Sequence, residues 1–190
     1  MSSKDYRSLL AVPGTKSPLS SVEWKFFWKL PLSHYNRIVC YRILSNRVPC
    51  RAILHNLIPS FFTSALCSLC GTDDDTLEHF LWLCPLKLTV WSSIWSTHFE
   101  TAFTLNALSC SILSLEFSTP LKLSLNSKPS EIICSTMSSI WRAHWSFVFS
   151  DIPFVPQTVI ATASRQILTS HHESLIKSGT SHVPIFTLDC

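Results

Sequence analysis

Four residues within one short stretch carry side chains suited to holding a metal ion: Cys67, Cys70, His79 and Cys84. Their spacing is Cys-x2-Cys-x8-His-x4-Cys. Thiolate sulfur and imidazole nitrogen are donors that zinc prefers, and three Cys with one His is a standard tetrahedral set. A Cys-x-x-Cys turn points two sulfurs at one ion, and Gly71 directly after it relieves the tight backbone. All four positions are filled by the protein, so the expectation is one closed, structural Zn2+ with no open place for a catalytic water. Two other readings of the thiols exist. A thioredoxin-like redox pair needs the strand-to-helix turn of an α/β fold, and no such pattern occurs here. Inert cysteines, buried as small hydrophobes, remain the plainer alternative.

The second ligand pair makes a demand on the elements that position it. Thr76 or Asp75 is placed to cap a helix that begins Leu-Glu-His. His79 and Cys84 are five residues apart, about 140° around a continuous helix, so one ion cannot easily take both from an unbroken one. The helix is therefore expected to end or distort near Leu83, because Pro85 biases the residue before it out of the α region. Asp73, Asp74 and Asp75 lie between the ligand pairs. No apolar strand flanks them, as a catalytic acid pair would require, so they are expected to solvate the loop or favour the following helix N-terminus. Three acids also make the loop itself a poor phosphate contact.

The remainder of the chain reads as helical. Apolar residues make up 46% and charged residues 14%, a balance that argues against a disordered chain. Gly occurs 3 times and Pro 11 times, which suits helices punctuated by proline better than a turn-rich all-β fold. Helices are predicted over 21–30 (Trp24, Phe27 and Trp28 on one face), 33–46, 50–57, from Pro85 to about Trp95, over 130–150 and over about 156–177. Tyr35, Ile38, Val39, Ile43 and Leu44 surround most of the second helix, so it is expected to be central. The fold class expected is mainly α: a small helical domain organised around one structural zinc site, with additional C-terminal helices. Its divisions are a loose N-terminal arm (1–20), the zinc domain (21–96), a Ser/Thr/Leu-rich variable connector (97–129), a C-terminal helical segment (130–178) and a tail (179–190).

The N-terminus lacks the apolar core of a signal peptide, and no run approaches the roughly 18 apolar residues of a membrane span. An intracellular location, cytoplasmic or nuclear, is the expectation, and there eight cysteines serve as free thiols or metal ligands. Charge is uneven. Residues 24–51 hold Lys25, Lys29, Arg37, Arg42, Arg47 and Arg51 and no acid, whereas residues 52–190 hold six Lys/Arg against ten Asp/Glu. The six basic residues are candidates for a polyanion contact, with Trp24 and Trp28 as stacking groups. The alternatives are solvated charges rimming buried helices and tryptophans packed in the core. Arg37, Arg42 and Arg47 step by five residues and do not share one helix face.

These residues together resemble a known family. Trp24, Trp28-Lys-Leu-Pro-Leu, the run Tyr41-Arg-Ile-Leu-Ser-Asn-Arg-Val-Pro49, the four Cys/His positions, Pro85 and Trp91 resemble the reverse transcriptase zinc-binding domain. That domain is the C-terminal module of non-LTR (LINE-type) retrotransposon polyproteins. Ile140-Trp141-Arg142 and Phe149 look like the Trp-containing helix that often follows it. The resemblance implies zinc on the four Cys/His positions, and nucleic-acid handling or support of an adjacent polymerase. No polymerase palm or endonuclease precedes the module in this sequence, so the chain is expected to be a detached or decayed element terminus.

The function expected is a non-catalytic, zinc-stabilised accessory module that assists nucleic-acid binding. Its expected partners are RNA or DNA and a reverse transcriptase domain, with no membrane and no small-molecule substrate. The alternative is a structural or protein-interaction module without nucleic-acid contact. An enzyme is not expected: no nucleophile elbow, phosphate loop or paired-carboxylate motif appears, and His171-His172-Glu173 reads as an exposed helix end.

Overall fold

Seven α-helices and one π-helical turn follow one another in a computed structural model that describes residues 19–122 and 127–177, with side chains to 172. The arm and the tail lie outside the described residues, apart from Leu19 and Ser20. The helices are α1 (Ser21–Lys29), α2 (His34–Leu44), α3 (Arg51–Leu57), α4 (Pro85–His98), α5 (Leu105–Leu113), α6 (Pro129–Ser150) and α7 (Pro156–Lys177). The π turn, His79–Leu83, precedes α4. Among the described residues no sheet forms; the only pairings are the isolated bridges Leu66–Asp74 and Phe99–Leu121.

Local chemistry sets the helix ends. Ser20 accepts from the Glu23 amide while the Glu23 carboxylate accepts from the Ser20 amide at 2.6 Å, a reciprocal capping box for α1. Ser33 caps α2 through the Asn36 amide at 3.2 Å. Pro85, Pro129 and Pro156 each stand at a helix start, where the missing N–H costs nothing. Asp151 closes α6 in the left-handed conformation, φ 52°, and the chain turns through five residues into α7.

The central element is α6, which packs on α2, α4, α5 and α7. Ile132, Ile133, Met137, Ile140 and Trp141 are buried along it, and Val159, Ala163 and Ile167 face it from α7 at helical spacing. Each large apolar side chain removed from water contributes about 1.5–3 kcal/mol. Centrality was expected of α2, but Tyr35 and Ile38 are 38% and 40% exposed. The buried stripe of α2 is Asn36, Val39, Cys40, Ile43 and Leu44. Asn36 holds a core position because its amide donates to Ser135 Oγ on α6 at 3.1 Å.

The stretch 97–129, read from its sequence as a variable connector, contains a nine-residue helix, α5, whose Leu108 and Ile112 enter the core. Its inward stripe is Leu108, Ser111 and Ile112, so a serine interrupts the apolar period. Ser111 is tolerated there because its hydroxyl donates to Ala107 O at 2.8 Å and lies 3.1 Å from Glu116 O. No helix among the described residues is long and apolar enough to cross a membrane.

Candidate metal centre

Cys67, Cys70, His79 and Cys84 converge, with one ligand atom from each lying within 4.8 Å of all the others. Cys67, His79 and Cys84 are buried and Cys70 is half-buried. Zinc bonded at about 2.0–2.3 Å to such donors would set them somewhat under 4 Å apart, so the cluster needs little contraction to close on an ion. Cys70 Sγ and His79 Nε2 are 3.3 Å apart, which identifies Nε2 as the imidazole donor of the set.

The first two cysteines sit on a tight turn. The Gly71 amide donates to Cys67 O at 2.8 Å, and Gly71 takes φ 69°, a left-handed conformation that glycine adopts without Cβ strain. The loop then folds back: the Cys67 amide donates to Asp73 O at 2.8 Å and the Asp75 amide to Ala65 O at 2.9 Å. The three acids part company. Asp73 and Asp74 are exposed, whereas Asp75 is 1% exposed. Asp75 Oδ2 accepts the Arg51 amide at 3.0 Å, at the first residue of α3. It therefore serves the N-terminus of a helix earlier in the chain, and Thr76 takes the cap of the following segment, accepting the His79 amide at 3.2 Å.

His79 and Cys84 are reconciled by a wider turn. The Cys84 amide donates to His79 O at 3.2 Å, an i to i+5 bond that closes a π turn over residues 79–83. The extra residue in the turn brings Cys84 back toward His79, and Cys84 itself is extended, φ −60° and ψ 126°. The predicted break before Pro85 is thus present, and the π turn is the device that the sequence did not reveal. It leaves Phe80 O and Leu81 O without partners in their own turn, since Pro85 has no N–H. Two α4 side chains supply donors: Lys87 Nζ to Phe80 O at 2.6 Å and Trp91 Nε1 to Leu81 O at 2.9 Å.

Electrostatics favour thiolate at Cys84. A hydrogen bond from Cys67 draws the Cys84 thiol down to about 7, against desolvation, and the amides of Leu86 and Lys87 in the first turn of α4 act in the same direction. The same hydrogen bond, together with burial, pushes Cys67 up to about 12. The paired sulfurs thus favour loss of the proton at Cys84, the form in which a cation is bound. Lys87, missed in the sequence because it falls within an apolar stripe, is fully buried, with its ammonium 4.2 Å from the Phe80 ring centre. Burial pushes it down from the usual lysine range, while Asp75 and the thiols of Cys67, Cys84 and Cys50 hold it up.

The six basic candidates are not equivalent. Lys25, Lys29, Arg42 and Arg47 are exposed and Arg51 is half-buried. Arg37 is committed to structure: its guanidinium donates to Phe27 O and Trp28 O at 3.1 Å and to Leu30 O at 2.7 Å, closing the C-terminal end of α1. Arg37→Ala should lower stability by about 1–2 kcal/mol in urea unfolding, because those carbonyls lose their donor. An unchanged midpoint would contradict that role. Of the two tryptophans, Trp24 packs against the core and Trp28 is 54% exposed.

Residues 7–91 match the family described as zinc-binding in reverse transcriptase. The match takes in α1 to α3, all four converging Cys/His positions and the first half of α4. No curated protein and no solved structure matches the chain.

Proposed function

We propose, from the match of residues 7–91 to the family described as zinc-binding in reverse transcriptase, that the chain is a non-catalytic accessory module of retrotransposon origin, built on one structural Zn2+ and assisting nucleic-acid binding. The observation that carries this reading is the convergence of three sulfurs and one imidazole nitrogen with no fifth position left for chemistry. Cys67, Cys70, His79 and Cys84 would hold the ion, which supplies cross-linking of the loop to the π turn.

The nucleic-acid role draws on the exposed cations Lys25, Lys29, Arg42 and Arg47 with the half-buried Arg51. The zinc-loaded protein should bind single-stranded RNA or DNA with an affinity that falls steeply with salt, as expected for a contact of a few phosphates. A titration series at rising salt measures this; absence of binding at low salt would sink the nucleic-acid role and leave the zinc role standing. A second reading, docking against a reverse transcriptase domain, is favoured by Phe61 and Val22, which are 82% and 73% exposed. Co-purification with a polymerase domain, lost on Phe61→Ser, is the expected result under that reading.

A further inference from the structure

A cleft of about 450 Å3 opens beside the connection from α2 to α3, between α3 and the C-terminal half of α6. Trp141, Trp145 and Phe149 line it at i, i+4 and i+8, one face of α6. The Trp145 and Phe149 rings stack at 5.3 Å with 18° between their planes, and Phe149 is 78% exposed. Arg42 and Arg51 also line the cleft, and the exposed Arg42 guanidinium lies 6.0 Å from the Trp141 ring centre. Three of the lining residues hold buried polar atoms without a hydrogen-bond partner: Asp75 Oδ1, His144 Nδ1 and Trp145 Nε1. These three buried atoms sit in side chains that border the cleft, so small side-chain shifts would offer them to a ligand with hydrogen-bonding edges.

Flat aromatic surface, two guanidiniums and unpartnered donors and acceptors are the complement of one chemical class. We propose that this cleft takes an unpaired nucleobase, stacked on Trp145 and Phe149, with its phosphate on Arg42 and Arg51. Asp75 Oδ1 accepts and Trp145 Nε1 donates, so a base edge that carries both a donor and an acceptor meets them. His144, pushed down to about 2 by burial and by Lys87, stays neutral and adds one polar ring nitrogen without charge. The proposal rests on the nucleic-acid reading above and narrows it, because Arg42 and Arg51 belong to both. Its aromatic wall lies beyond residue 91, outside the family match.

The test uses the zinc-loaded full chain at low salt. Four ligands are titrated: a single-stranded oligoadenylate, an oligouridylate and an abasic strand of equal length, and adenosine monophosphate. Strand anisotropy and tryptophan fluorescence are read. Oligoadenylate should bind about tenfold more tightly than the abasic strand and quench tryptophan, and an oligouridylate should bind more weakly than oligoadenylate. Phe149→Ala, an exposed position, should remove most of the preference for the base-bearing strand while leaving abasic binding unchanged. Salt-dependent binding that is equal for intact and abasic strands overturns the cleft, leaves the electrostatic reading intact and gives the aromatic face to a protein partner. Quenching by adenosine monophosphate, sensitive to Phe149→Ala, with no strand bound upholds the cleft as a free-nucleotide site and removes the strand-binding role. No response to any of the ligands overturns both.

Discussion

Changing Cys84 to serine is expected to abolish zinc binding and to unfold the segment from Ala65 to Cys84, while α6 and α7 keep their structure. Cys84 is fully buried, and its sulfur is hydrogen-bonded with Cys67. The segment around it has little to hold it besides the ion. Between Leu57 and His79 no named helix or strand forms, and the returning loop rests on a few backbone bonds such as Cys67 to Asp73 and Asp75 to Ala65. Structural zinc in small domains supplies on the order of 10–16 kcal/mol of apparent folding energy, far more than those bonds. Loss should spread to α3, whose first amide is capped by Asp75 from the same loop. The interior of α6 and α7 has its own apolar contacts and should not follow. Metal analysis gives the first readout and amide hydrogen exchange the second. Cys110→Ser, at a half-buried cysteine outside the cluster, is the control and should keep one zinc per chain. One equivalent of zinc retained by the Cys84→Ser protein would refute the ligand set.

The second large effect is expected at Lys87. Three thiolates around Zn2+ leave one net negative charge in a buried place, and the Lys87 ammonium is the buried cation beside it. Its hydrogen bond to Phe80 O also fixes the turn that aims His79. Lys87→Met keeps the stem and removes both the charge and the donor. Zinc affinity should fall about 10- to 100-fold, the usual consequence of losing a group that orients or balances metal ligands. Competition with a chelator of known affinity measures it. The metal-free protein should lose much less, since methionine relieves the desolvation of an ammonium while leaving Phe80 O unpaired. An affinity equal to that of the unaltered protein would mean that the charge is balanced elsewhere.

Much of this arrangement is legible from residue types and spacing. Three Cys and one His identify the cluster, and Pro85 with the five-residue step announces that the helix must break before Cys84. Of the two caps that the sequence offers for the segment bearing His79, Thr76 and Asp75, it is Thr76 that takes the His79 amide. Besides the π turn, several features that escape the sequence share one cause: polar side chains occupying buried positions because a partner arrives from elsewhere in the chain. Asn36 meets Ser135, Lys87 meets Phe80 O, and Asp75 meets the Arg51 amide. Each partner is distant in sequence or presents a backbone atom, so no local period reveals it. Ser111 hides α5 in the same way. Arg37 errs in the opposite direction: it looks like a surface cation, yet three carbonyls claim it.

The two halves of the metal site tolerate changes in length very differently. Gly71, Thr72 and Asp73 form an exposed bend whose ends are tied by the pairing of Leu66 with Asp74. Added residues there lengthen a loop already closed at its base, and each doubling of such a loop costs only about 0.6 kcal/mol. The interval from His79 to Cys84 has no such slack. One residue more or fewer would turn Cys84 by about 100° and carry its sulfur off the site. The first spacing is elastic and the second is a gauge, so descendants of this fold can be expected to differ in the one and agree in the other.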